Sequence, residues 1–254
     1  MIEHLLRHAA RWLAAVPALL WLGSAADAGA SPFADWAAIV VAGDHYDSDD
    51  NPSEGFDNAR REVSRDLLRI GFSPANLVQF SLRPREYRSE KLLATRPNTI
   101  MSALTKVANR TSGGCLLYFS SHGSEDGLVV GNWIVPPRAL AHLVDDTCAA
   151  RPTVVIISAC FSGAMLPPLK GANRMVLTAA RRDRTSFGCG QSDRYPYFDQ
   201  RVLESWGGVS NFADLGRRAQ ACVAAREKRE RLAPPSEPQL WIGRQAAASL
   251  PAWR

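Results

Sequence analysis

Several stretches of this chain are apolar almost from end to end and no longer than a strand: Ala37–Ala42, Leu77–Phe80, Cys115–Ser120, Val154–Ala159 and Arg174–Ala179. A strand with one wet face alternates polar and apolar residues, whereas a strand covered on both faces reads as a continuous apolar run. Between these runs the apolar residues recur with helical spacing. Ala59, Val63, Leu67, Leu68 and Ile70 follow Phe56, with Gly71 as a stop. Thr99–Val107 carries Ile100, Leu104 and Val107, and Pro137–Cys148 carries Leu140, Leu143 and Val144, with Pro137 near its start. Phe198–Trp206 and Phe212–Val223 are the last helical patterns. Such alternation predicts an α/β protein, a three-layer α/β/α sandwich around a mostly parallel sheet. Gly131-Asn132, between Leu128–Val130 and Trp133–Val135, predicts a small hairpin. The Asp-rich segment Gly43–Gly55 reads as a loop, Arg83–Lys91 as a loop or frayed helix, and Leu240–Gly243 as an edge element.

The chain has 254 residues, which fits one substantial core, and its hydrophobic share of 46% is that of an ordinary globular protein. The formal charge of +5 is mild, and no Lys/Arg block is interleaved with aromatics, so a nucleic-acid partner is not expected. Residues 1–30 have the order of a cleavable secretory signal: Arg7 and Arg11, then an apolar Trp12–Leu22, then small residues with cleavage after Ala28 or Ala30. The apolar core is too short for an ordinary transmembrane helix, so no stable membrane span is expected after cleavage, and the expected location is periplasmic or secreted. The expected organisation is residues 1–30 signal, 31–225 one folded domain, and 226–254 a C-terminal tail, of which Arg226–Glu237 is charged, proline-bearing and exposed. Five cysteines in an oxidising compartment leave at least one thiol unpaired. If Cys160 is the free one, the rest allow three pairings; Cys189 with Cys222 is the favoured bridge, and Cys115 reads as a small core residue.

Two of the strand-like runs end in reactive side chains beside glycine. Cys115–Ser120 leads through Ser121 to His122-Gly123, and Val154–Ala159 leads to Cys160-Phe161-Ser162-Gly163. In open α/β sheets the carboxyl ends of strands carry the active site. A neutral imidazole can take a thiol proton and later protonate a leaving amine. Alone, Cys160 reads as a buried structural cysteine and His122 as a loop histidine; together they read as nucleophile and general acid/base. The amides of Gly123 and Cys160 would hold an oxyanion. No CxxC, HExxH or GxxxxGK[ST] occurs, so neither a metal site nor a phosphate loop is expected.

Four patches between Ala37 and Trp206 resemble the legumain-like cysteine peptidases of the wider caspase-fold group. They are Phe56-Asp57-Asn58-Ala59-Arg60; Tyr118–Ser124 with Gly127–Val130; Ser158–Met165; and Leu177–Ala180 with Thr185–Cys189. The His-Gly and Ala-Cys-x-Ser-Gly patches are the specific ones. The resemblance implies a caspase/legumain-like fold, His122 and Cys160 as the catalytic pair, and Asn58 as the residue orienting the histidine. It also implies Arg60, Ser186 and Asp199 around the pocket for the residue before the cleaved bond. Phe161 stands where legumains often have an acidic residue, so a strict asparagine preference is not implied. The expected activity is a cysteine endopeptidase that needs no cofactor and acts on a protein or peptide substrate. A transamidase resolving the same acyl-enzyme, a catalytically silent binding module of the same fold and a redox role for Cys160 are the rivals; against the last, no resolving cysteine lies near in sequence.

Overall fold

The computed structural model describes residues 31–253 except Gln191, so the expected signal segment lies outside the described residues. The central sheet is built from β1 (Ala37–Ala42), β2 (Leu77–Ser81), β3 (Leu92–Ala94), β4 (Cys115–Ser120), β8 (Thr153–Ser158), β9 (Arg174–Thr178) and β10 (Gln239–Ile242). Their order is β10-β9-β8-β4-β1-β2-β3. All neighbours are parallel except β10, which runs antiparallel to β9. The expected hairpin is present as β6 (Gly127–Val130) and β7 (Trp133–Val135), joined by a short β5 (Gly123–Ser124) into a second sheet.

Both faces of the parallel strands are covered, which is why those strands do not alternate. On one face Ile39, Val41, Leu117, Phe119, Val155 and Ile157 pack with Leu104 and Val107 of α2 (Pro97–Ala108) and Leu140 and Val144 of α3 (Pro137–Cys148). On the other, Ala38, Val40, Leu116, Tyr118, Val154 and Ile156 pack against three helices. These are α1 (Gly55–Arg69), α5 (Tyr197–Ser205) and α6 (Phe212–Glu230), which contribute Val63, Leu67, Phe198, Val202, Leu215 and Ala219. A short α4 (Leu166–Leu169) follows the Cys160 turn, and α7 (Arg244–Ser249) follows β10.

The structure corrects two expectations. The stretch after Arg226 is exposed at residues 228–231 and 233–235, but it is anchored rather than a free tail. Helix α6 runs on to Glu230, and buried Glu227 accepts hydrogen bonds from the amide and hydroxyl of buried Ser236. Strand β10 then extends the sheet, and buried Trp253 packs on Phe33, Trp206 and Phe212. A charge run reads as solvated by composition, but a carboxylate with buried donors can anchor a segment inside. The bridge is also different: Cys115 pairs with Cys148, tying the start of β4 to the end of α3, while Cys189 and Cys222 are free. Spacing along the chain cannot reveal which half-cystines the helix crossover brings together.

Candidate active site

Register brings His122 and Cys160 together. Strands β4 and β8 are parallel neighbours paired Leu116↔Val154, Tyr118↔Ile156 and Ser120↔Ser158. Counting two residues past each member of the last pair reaches His122 and Cys160. Because side chains repeat with period two, both follow the row that faces α1 and α5. The ladder continues one step past the strands, where the Ser121 amide donates to the Ser158 carbonyl at 3.0 Å. Both residues line one open cleft of about 380 Å3, together with Ser48, Thr185–Gly190, Asp193, Tyr197 and Leu232.

His122 is held by two contacts. Its Nε2 lies 3.0 Å from the Tyr46 carbonyl oxygen, and its ring meets Phe56 edge-on at 5.0 Å between centroids. A carbonyl can only accept, so Nε2 carries the proton and Nδ1 keeps its lone pair. That tautomer is the one a general base needs. The Asp-rich loop explains the placement of Tyr46. Asp44 accepts the amides of His45 and Tyr46, Asp47 accepts those of Asp49 and Asn51, and Ser53 donates its amide to the His45 carbonyl. Asx-type turns of this kind fold a polar loop on itself.

Cys160 ends its strand on a sharp turn. Phe161 adopts the left-handed conformation (φ 55°), a strained choice for a non-glycine residue, and its amide donates to the Arg184 carbonyl at 2.8 Å. Ser162 Oγ accepts the Ala180 amide at 3.2 Å, which accounts for a small hydroxyl residue after the turn. Gly123 is needed for close approach: a β-carbon there would be driven into the Cys160 carbonyl oxygen. The Ser186 amide donates to Cys160 Sγ at 3.2 Å. Burial pushes the Cys160 thiol above its ordinary range, and the Ser186 amide pulls it part of the way back. The resting sulfur is therefore a thiol, and attack requires the imidazole to take its proton.

The other sequence-derived residues separate into those in the cleft and those beneath or beside it. Ser186 lies in the cleft beside the sulfur. Asn58 does not orient the histidine: its amide donates to the Arg194 carbonyl at 3.1 Å, and its Oδ1 accepts from Arg61. Arg60 lies outside the cleft lining. It is fully buried, with Nε on Asp57 at 2.9 Å and Nη1 on Gln79 at 2.6 Å and Glu90 at 2.7 Å. The helical offset that pairs Asp57 with Arg60 at i,i+3 turns the guanidinium toward β2 rather than the strand ends. Asp199 is also fully buried and outside the lining. Its carboxylate accepts from Tyr118 at 2.5 Å, Ser120 at 2.6 Å and Ser158 at 2.8 Å, so it clasps β4 and β8 two residues before the reactive pair. Burial raises the Asp199 carboxyl to about 6, against the pull of those three hydroxyls.

Sequence reasoning missed Tyr46, because a backbone carbonyl leaves no trace in residue type. It also missed Leu232 and Tyr197 as cleft walls. Tyr197 is backed by the Arg226 guanidinium, 3.2 Å above its ring centre.

The profile of the peptidase C13 family matches residues 78–220. This chain belongs to that family of legumain-like cysteine peptidases. The matched stretch takes in His122, Cys160, Ser186 and Asp199 and begins after Asn58 and Arg60. No curated protein matches the sequence. Among solved structures the chain is similar to caspase-1 from Spodoptera frugiperda, with a TM-score of 0.60 and 15% identity over 84% of this chain and 88% of that one. At that identity the likeness is one of fold, and it agrees with the parallel sheet between helical layers.

Proposed function

We propose that this C13 family member is a cysteine endopeptidase whose nucleophile is Cys160 and whose general acid/base is His122. The observation that carries the reading is the in-register placement of the two residues at the mouth of one cleft. With Nε2 engaged by the Tyr46 carbonyl, Nδ1 of His122 takes the thiol proton as sulfur attacks the peptide carbonyl. The amides of Gly123 and Cys160 stabilise the oxyanion. The same imidazole then protonates the leaving amine, and water hydrolyses the thioester. An amine reaching the thioester first would give a transamidation product instead.

The cleft lining bears on the side chain accepted before the cleaved bond. Among the residues lining the cleft, Asp193 is the carboxylate and none is an arginine or lysine. An uncharged or basic side chain before the cleaved bond fits that lining better than an acidic one. We also propose a periplasmic or secreted location, supported by the charged-apolar-small order of residues 1–30 and by the Cys115–Cys148 bridge.

The test is a peptide library profiled with the purified protein beside Cys160→Ala and His122→Ala, with an added amine to capture transamidation. Cleavage by the parent that both variants lose is the expected result. Cleavage retained by Cys160→Ala would overturn the nucleophile, and a dominant cut after Asp would overturn the pocket reading.

A further inference from the structure

The cleft holds a second thiol that the proposed chemistry leaves idle. Cys189 lines it together with Cys160. It sits on the segment that already touches the nucleophile, since Ser186, three residues earlier, donates its amide to Cys160 Sγ. Burial, and to a lesser degree the neighbouring Cys160, holds the Cys189 thiol well above its ordinary range. Gly188, just before Cys189, has a left-handed φ of 76°, and the described residues between Arg181 and Pro196 form no helix or strand. No sheet ladder therefore holds Cys189 in place. The remaining free thiol, Cys222, lies on α6 and is not among the residues lining the cleft.

We infer that Cys160 and Cys189 form a reversible disulfide on exposure to a peroxide, a lock that silences the cleft and shields the nucleophile from irreversible oxidation. In the first step Cys160 sulfur attacks one peroxide oxygen. The O–O bond breaks, Cys160 becomes a sulfenic acid, and the displaced oxygen leaves as water with the thiol proton. In the second, Cys189 sulfur attacks the sulfenic sulfur, an S–S bond forms, and the S–O bond breaks with loss of a second water. Two thiols lose two electrons and two protons, and the peroxide takes them to become water. A dithiol reductant reverses the change. Burial keeps both thiols protonated at rest, so the rate of locking rises with pH. The bond itself does not depend on the peptidase reading; only its effect on activity does.

The experiment treats the reduced full chain with hydrogen peroxide at mildly alkaline pH, blocks remaining thiols with iodoacetamide, and maps the peptides by mass. A linked Cys160–Cys189 peptide that disappears on dithiothreitol treatment is expected, with loss and recovery of peptide cleavage in parallel. In Cys189→Ser, Cys160 accumulates the irreversible sulfinic form, while Cys222→Ser behaves like the parent. Cys189→Ala repeats the comparison with a smaller change in the loop. Equal over-oxidation of Cys160 with and without Cys189, or a bridge from Cys189 to Cys222, would overturn the lock. A linked peptide in a protein that cleaves nothing would leave the lock standing and remove the peptidase; cleavage with no linked peptide would do the reverse.

Discussion

Asp57 and Asp199 are both buried carboxylates against the same sheet, and their surroundings differ in kind. Asp57 lies among cations, with Arg60 on one oxygen and Arg83 near the other, and Ser81 donates to it as well. Asp199 has three hydroxyl donors, and among the described residues no cation forms an ion pair with it. Burial pushes both carboxyls up, but only Asp57 has arginines pulling it back. The first arrangement is what a fold needs to bury a charge; the second is costly to stability and persists where it serves the site above it. The difference separates residues that hold the domain together from residues that hold the reactive pair in place.

The largest effect expected from this contrast is at the compensated cluster. Arg60→Met strips the cation from Asp57 and Glu90, and unfolding in urea is expected to give a loss of about 3–5 kcal/mol. Cleavage per folded molecule stays at the parent level, and a selective fall in activity would return Arg60 to the substrate pocket. Next is Asp199→Asn, expected to lower kcat by about 10- to 100-fold at unchanged KM, because the reactive pair shifts.

Stability at Asp199 moves the other way. A carboxyl raised to about 6 favours the folded state fully below its unfolded pKa near 4, and that contribution is lost as pH rises through 6. The Asn variant lacks this titration. Relative to the parent it gains up to about 3 kcal/mol between pH 4 and pH 7. Parallel denaturation curves at the two pH values test this, and an Asn variant that loses stability as pH rises would break the contrast.

The smallest effect is expected on α1 and the Asp-rich loop. Asn58→Ala and Tyr46→Phe should each leave kcat within about twofold, since the histidine is held by a main-chain oxygen that both variants keep. A fall for Asn58→Ala as deep as that for His122→Ala would reinstate the asparagine as the orienting group.

The sequence carried the sheet and its covering helices because doubly buried strands write a continuous apolar signature that needs no partner to be recognised. It brought His122 and Cys160 to one cleft because each follows such a strand in the same way. It did not carry α1's side-chain directions: whether Asn58 and Arg60 face the strand ends or β2 depends on a helical rotation that composition does not fix. The Cys115–Cys148 bridge and the docking of Glu227 on Ser236 depend on which distant segments meet, and charge patterning around Arg226 pointed to solvent. The short β3 at the sheet edge, half exposed around Leu93, had too few residues to show a period.

Because His122 and Cys160 meet through a shared ladder phase, their encounter obeys a counting rule. Adding or deleting a single residue inside β4 or β8 would reverse that strand's alternation and swing one partner to the opposite side of the sheet. A one-residue change of length breaks that phase even where every buried side chain keeps its type. Length variants of β8, made away from Ser158, would therefore silence the protein while leaving every residue of the site chemically intact.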